Sequence, residues 1–247
     1  MKVMLISGGT RGIGAATARL AVAQGYAVAL NYVRDEAAAR SLCTELGAGG
    51  GRALAIPADV SQESEVLELF ATVDRELGPL SALINSAGVG DRAARVDEMA
   101  SERVLRMFGI NVIGSFLCAK HAVRRMSSKY SGRGGAIVNV SSAAARHGSP
   151  GEYVDYAATK GAIDTFTLGL AREVAAEGIR VNAVRPGIVD TEFHLSTGDP
   201  GRVTRIAPSI PLGRAGSASE VAQAIVWLCS DAASYVTGAI VDVAGGR

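Results

Sequence analysis

The sequence predicts an α/β fold built on a doubly wound, mostly parallel seven-stranded sheet with helices on both faces. Three observations carry this prediction. Short apolar runs alternate with amphipathic stretches along the whole 247 residues, as repeated βα units require. A glycine turn, Gly8-x-x-x-Gly12-x-Gly14, follows the first apolar run directly. Ala and Gly are abundant while aromatics make up only 5%, as expected where helices pack closely on a sheet. With 48% hydrophobic residues the chain can bury a substantial core, and α/β domains of this length often stay single, so residues 1–247 are expected to form one domain.

The elements follow in order. Residues 3–7 read as the first strand, and a helix begins near Ile13 after the glycine turn. Residues 27–31 form the second strand; Gly47-Ala-Gly-Gly-Gly51 then reads as a surface turn before the third, residues 53–56. Ser61 reads as an N-cap, with Glu63 and Glu65 in the first helical turn and Val66, Leu67, Phe70 and Val73 as its apolar stripe. Strands at 82–85 and 136–140 bracket a long helix at 101–127, and a second long helix at 156–176 precedes the strand at 180–184. Ser217-x-x-Glu220 is a capping box ahead of Val221, Ile225 and Leu228, and the last strand spans 239–242. Right-handed crossovers wind such units into a doubly wound sheet, whose ligands bind beyond the carboxyl ends of the strands.

Composition narrows the function classes. Twenty-five basic and 24 acidic residues give a net charge of +1, spread throughout, so neither a nucleic-acid nor a membrane partner is expected. Cys43, Cys118 and Cys229 are far apart and odd in number, which argues for a reducing compartment. His121, His147 and His194 make no ligand spacing with them, so no metal is expected. Residues 3–6 run straight into the glycine turn, so no signal peptide is expected, and no stretch of about 18 apolar residues is present. A cytoplasmic location is the expectation.

The chemistry centres on Tyr156-Ala-Ala-Thr-Lys160. Residues four apart share a helix face, so a phenol and an ammonium can meet one site. Tyr153, two turns from Lys160, is too remote to pair strongly with it. At about 4 Å and an effective dielectric near 20, the raw attraction between phenolate and ammonium is about 4 kcal/mol. Part of that moves a tyrosine about one to three units below its usual value near 10, toward neutrality.

Taken with Asn85-Ser-Ala-Gly88, Asn111, Ser142 and Pro186-Gly187-x-x-x-Thr191, this ordered set resembles the single-domain, Tyr-x-x-x-Lys members of the short-chain dehydrogenase/reductase family. The resemblance runs from Leu5 to Val243-Ala-Gly-Gly246 and implies a Rossmann-type fold. It casts Tyr156 as acid/base, Lys160 as its tuner and holder of the nicotinamide ribose, and Ser142 as hydrogen-bond donor to the substrate oxygen. Ser141 stays open as the alternative serine, because the loop to Tyr156 is one residue longer than in many relatives. Asn111 is cast as holder of a relay water; bonding only to backbone is the alternative.

Cofactor contacts are likewise implied by resemblance. Gly8, Thr10, Arg11, Gly12, Ile13 and Gly14 form the pyrophosphate turn, with Ser7 where the family usually has Thr. Asp59 and Val60 match the adenine-contacting pair, unless Asp59 serves only its turn. Asn85, Ala87 and Gly88 border the ribose, with Ser86 replacing the commoner second Asn; Asn85 is alternatively structural. Pro186, Gly187, Ile188 and Thr191 wrap the carboxamide. At the end of the second strand Tyr32 stands where an acid would grip the ribose hydroxyls, and Arg11 and Arg34 lie where NADP-using relatives are basic, so NADP(H) is expected over NAD(H). Asp35 and Glu36 are the competing ribose acceptors.

The expected function is therefore hydride transfer between NADP(H) and a carbonyl or secondary alcohol, a 3-oxoacyl thioester or another ketone. Sugar-alcohol, steroid or cyclic-alcohol oxidation is the alternative within the site, and a non-catalytic NADP sensor or scaffold the alternative outside it. Glu177, where carrier-protein users can be basic, weighs against a carrier protein, while Arg133 favours one. The substrate pocket should draw on residues 91–95, 147–153 and 191–214, the last a lid rich in Gly and Pro. His147, His194, Arg202 and Arg205 are candidate contacts, the two arginines for an anionic group. The helices at 101–127 and 156–176 are those that relatives pair in homotetramers.

Overall fold

The computed structural model describes residues 1–193 and 197–247. Its centre is a seven-stranded sheet in the order β3-β2-β1-β4-β5-β6-β9, with every adjacent pair parallel. The strands are β1 Lys2–Ser7, β2 Tyr26–Tyr32, β3 Ala53–Pro57, β4 Leu80–Asn85, β5 Gly135–Val140, β6 Ile179–Pro186 and β9 Ile240–Val243. All seven expected strands are present, displaced only at their ends. The chain leaves β1 in one direction toward β2 and β3 and returns beside it as β4. The switch in strand order therefore lies between β1 and β4, where doubly wound sheets open a crevice.

Parallel strands covered on both faces read as apolar runs because each face has its own core. Val3 and Leu5 point into a cluster with Val66, Phe70, Cys118 and Ala171, under α3 Glu63–Glu76, α5 Gly114–Met126 and α7 Val154–Val174. Met4 and Ile6 point into the opposite cluster with Ala18, Leu42, Val221 and Ile225, under α1 Gly12–Ala23, α2 Glu36–Ala48 and α9 Ala218–Cys229. The box at Ser217 and Glu220 caps α9 as expected: Ser217 Oγ accepts the Glu220 N–H, and Glu220 accepts the Ser217 N–H.

Two expectations need correction. Ser61 does not cap α3; Gln62 precedes the helix, and the Ser61 N–H and hydroxyl both donate to Asp59 Oδ1, at 2.9 and 2.8 Å. The carboxylate of Asp59 outcompetes a serine hydroxyl for the turn. The helix expected at 101–127 is also not a uniform α-helix. It runs as α4 Ser101–Phe108, a π-helical turn Gly109–Ile113 and α5, with the buried Asn111 in the widened turn.

A two-residue parallel pair, β7 Val189–Asp190 with β8 Gly216–Ser217, was not foreseen. It brings residues 189–190 beside 216–217, and between them in sequence comes the short helix α8 Arg202–Ile206. Between β5 and α7 the chain makes α6 Ala144–His147. Arg103 of α4 grips Asp155 in the first turn of α7 through Nε at 2.7 Å and Nη2 at 3.2 Å, in a pair nearly closed to solvent. No helix of the described residues is long and apolar enough to cross a membrane.

Candidate active site

A cleft of about 660 Å³ runs along the carboxyl ends of β1, β2, β4 and β5. Its floor is set by backbone proximity. A side chain on Gly14 would bring its Cβ within 2.3 Å of the Gly8 carbonyl oxygen, so helix α1 packs against the turn only because that position is bare. Gly8 adopts φ +62° and lies so close to Ala87 that a Cβ would sit 2.9 Å from the Ala87 Cα. Ser7 joins the two loops: its hydroxyl donates to the Ile84 carbonyl and accepts the Ser86 and Ala87 N–H groups, each at 3.1 Å. The serine thus keeps a hydroxyl working where the family usually has threonine. Asn31, not singled out from sequence, ties the turn to β3. Its Oδ1 accepts the Gly8 N–H and its Nδ2 donates to the Ala58 carbonyl at 2.8 Å. Its one sequence signal was an amide inside an apolar strand.

Helix α1 starts with no side-chain cap and no acidic residue in its first turn. Its free N–H groups and positive dipole end therefore face the cleft, a natural seat for a pyrophosphate. Gly8, Thr10, Arg11, Gly12, Ile13, Gly14, Arg34, Asp59, Val60, Ala87, Gly88, Pro186, Gly187, Ile188 and Thr191 all line the cleft, so the glycine cradle and uncapped helix fit a dinucleotide. Asn85 does not line it. The Asn85 amide donates to Asn139 Oδ1 at 2.9 Å, and Asn139 in turn donates to Thr167, so Asn85 takes part in a cross-link of β4, β5 and α7. Asp59 lines the cleft while its carboxylate also holds the turn before α3.

At the inner end of the cleft, Tyr156 and Lys160 lie on one face of α7, with Ser142 at the end of β5. The Ser142 hydroxyl accepts the Ala144 N–H at 3.1 Å and lies near enough to the Tyr156 phenol to favour its ionised form. The Ser141 hydroxyl instead donates to the Lys160 carbonyl at 3.2 Å, which leaves Ser142 as the serine aimed at the phenol. Buried Lys160 donates from Nζ to the Val140 carbonyl at 2.8 Å and lies 5.6 Å from the centre of the Tyr156 ring.

The expected lowering of the Tyr156 pKa by Lys160 is overridden by burial. Burial pushes the phenol up to about 12, against the opposing influence of Ser142, and pulls the Lys160 ammonium down to about 8, against the pull of Asp164. For the neutral phenol burial outweighs the ammonium, which donates to the Val140 carbonyl and lies 5.6 Å from the ring centre. Asn111 Oδ1 accepts the Val89 N–H at 2.8 Å, and its Nδ2 donates to the Val89 carbonyl at 3.0 Å and to Thr159 at 3.2 Å. Gly88 brings Asn111 and Lys160 together: a Cβ there would stand 3.5 Å from Asn111 Oδ1 and 3.6 Å from Lys160 Nζ.

Beyond Tyr156 the cleft is lined by Asp91, His147, Tyr153, Phe193 and Arg202, from the three expected segments, and by Arg247, which was not expected. The Phe193 ring lies 5.6 Å from that of Tyr156, and Phe193 and Thr197 pack on Gly90. Arg202 donates to Glu152 at 2.7 Å and stacks 4.8 Å over Tyr153. Arg205 is exposed, bonds to Asp199 and does not line the cleft, so its expected role as an anion contact is not supported. His194 lies outside the described residues. His147 borders the cleft with Nδ1 accepting the Ser149 N–H at 3.3 Å. Among the described residues no group of His, Cys, Asp and Glu is arranged to hold a metal.

The sheet order and the cleft at its switch point define a doubly wound, Rossmann-type fold. Residues 8–247 match the family described as enoyl-(acyl carrier protein) reductase. The chain is 54% identical over 247 residues to the uncharacterized oxidoreductase YgfF of Escherichia coli, with all of both chains covered. Among solved structures it resembles 3-ketoacyl-(acyl-carrier-protein) reductase of Brucella melitensis complexed with NADH, at a TM-score of 0.92 and 32% identity, covering 100% of this chain and 98% of that one. It also resembles a blue fluorescent protein from a metagenomic library in complex with NADPH, at a TM-score of 0.90 and 34% identity, covering 99% and 97%. The chain belongs to the short-chain dehydrogenase/reductase family of oxidoreductases.

Proposed function

We propose that this chain is an NADP(H)-dependent oxidoreductase that moves hydride between nicotinamide and a carbonyl or secondary alcohol, with Tyr156 as acid/base. The observation that carries the reading is Tyr156 and buried Lys160 presented to the cleft from one face of α7, with Ser142 lining the same cleft. When bound, the cofactor supplies or accepts the hydride. In reduction, Tyr156 gives its proton to the carbonyl oxygen while the Ser142 hydroxyl holds that oxygen in place. The Lys160 cation steadies the phenolate left behind, and Asn111 holds the proton relay beside it. A 3-oxoacyl thioester or another ketone is the substrate class, as in the Brucella reductase.

The preference for NADP(H) rests on the rim near β2. Tyr32, not an acid, ends that strand, and Arg11 and Arg34 line the cleft with no ion-pair partner among the described residues. The two nearby acids are engaged: Asp35 caps α2 by accepting the Ala38 N–H at 2.9 Å, and Glu36 pairs with Arg40. One domain in a cytoplasmic homotetramer completes the proposal; the three free cysteines bear on the reducing compartment alone.

The experiment is consumption of NADPH and NADH against a panel of ketones, aldehydes and oxoacyl thioesters. The wild type should turn over, with kcat/KM roughly 10²–10³-fold higher for NADPH and reduced by Arg34→Ala. Tyr156→Phe should lose about 10²-fold or more in kcat while still binding NADPH. A silent panel with tight NADPH binding would favour the sensor; equal kcat/KM for both cofactors would remove the NADP preference.

A further inference from the structure

The substrate end of the cleft contains polar atoms that the protein itself leaves unmet. Arg247 Nη1 and Tyr153 Oη are both buried, both belong to residues that line this cleft, and neither has a hydrogen-bond partner among the described residues. Burying such donors without a partner is costly, most of all for a charged one, so a ligand group that meets them gains what the free protein forgoes.

The charge around them is uneven. Glu152 pairs with Arg202 at 2.7 Å, and Asp199 pairs with Arg205 and lies 3.9 Å from Arg202. Arg247 makes no ion pair with an Asp or Glu side chain among the described residues. It is close enough to His147, with Arg202, to help burial keep that imidazole neutral. The position therefore holds one uncommitted guanidinium with a phenol hydroxyl beside the same cleft. A planar fork of N–H donors suits a carboxylate; a neutral thioester would leave the cation unmet, and a phosphate dianion would bring a second charge with no partner.

We propose that this end of the cleft is a carboxylate subsite, with Arg247 as the principal anion ligand and the Tyr153 hydroxyl as a second donor. The preferred substrate is then an oxo acid or hydroxy acid whose carboxylate is anchored away from the carbon facing Tyr156. This deepens the hydride-transfer reading and rests on it for the identity of the reacting carbonyl. The subsite itself can be tested without turnover.

The test is calorimetric titration of the protein saturated with NADP+, using 4-oxopentanoate, its amide 4-oxopentanamide, and dihydroxyacetone phosphate. The oxo acid should bind at least about tenfold more tightly than the amide, as expected for a charge-assisted contact. Arg247→Gln should cut that ratio by about tenfold, Tyr153→Phe by a few fold, and Arg75→Gln, an exposed charge on α3, should leave it intact. Equal binding of acid and amide by the wild type overturns the subsite even if Arg247→Gln does not fold. A ratio unchanged in a folded Arg247→Gln overturns it too, and tighter binding of the phosphate overturns the carboxylate assignment. Selective, Arg247-dependent binding of the acid with no NADPH consumption on any carbonyl would leave the subsite standing and remove the hydride-transfer reading. Brisk consumption without acid selectivity would do the reverse.

Discussion

Tyr156 and Lys160 are displaced in opposite directions by one cause. Burial disfavours charge, so the phenol stays neutral up to about 12 and the ammonium lets go near 8. A neutral phenol is the form needed to protonate a carbonyl oxygen, and the lysine must still be charged to steady the phenolate that results. Reduction should therefore hold steady through neutral pH and fall as pH rises past about 8, while oxidation, which needs the phenolate, should gain with pH. Replacing Lys160 by Met should lower the reductive rate by roughly one to three decades and erase the limb near pH 8. A limb that survives there in the variant would take the ammonium out of the proton step. The pairing of the two residues was legible because four residues make one helical turn. The sign of the tyrosine shift was not, because it depends on how much protein surrounds the ring and on the Val140 carbonyl that claims Lys160.

Among the elements, α7 carries the chemistry and the Arg103–Asp155 pair fixes where it begins. Asp155 Oδ1 also accepts the Tyr156 N–H at 2.9 Å, and Arg103 Nη1 donates to the Arg92 carbonyl at 2.6 Å, so one ion pair joins α4, the residue 92 loop and the first turn of α7. Asp155→Ala would leave a nearly buried guanidinium without its partner, a loss of about 3 kcal/mol. For a chain of this size that is a fall of roughly 6–12 °C in Tm. Because Tyr156 follows directly, kcat should fall by more than KM changes; thermal melts and steady-state rates that matched wild type would show the pair to be idle. At this scale legibility followed burial. Strands covered on both faces announce themselves as apolar runs, and the box at Ser217 and Glu220 is a local pattern. The π turn around Asn111 and the two-residue β7–β8 pair leave no periodicity to read. The cap at Ser61 failed because a stronger acceptor, Asp59, stands two residues before it.

Over the whole molecule, the sheet order brings together residues that no local pattern connects, and Arg247 is the sharpest case, reaching the cleft of Tyr156 from the far end of the chain. The same scale governs assembly. Leu105, Ile113 and Phe116 of the α4–α5 run and Leu168 of α7 are exposed at 72, 51, 47 and 39%, and Phe116 stacks on Phe166 with ring centres 3.8 Å apart. Apolar side chains exposed on adjoining helices are what the proposed assembly requires of a surface between chains. Trp227 on α9 and fully exposed Tyr235 before β9 offer a second, separate patch near the sheet edge. Two distinct self-complementary patches, each closing on a two-fold axis, generate a tetramer of dihedral symmetry. Light scattering at micromolar concentration should therefore give four times the 25.3 kDa chain mass. Phe116→Asp with Leu168→Asp should reduce the particle to a dimer held by the second patch, because two carboxylates cannot be buried against their own copies. A wild-type monomer under the same conditions would refute the assembly, and a tetramer surviving both substitutions would move the first interface away from α5 and α7.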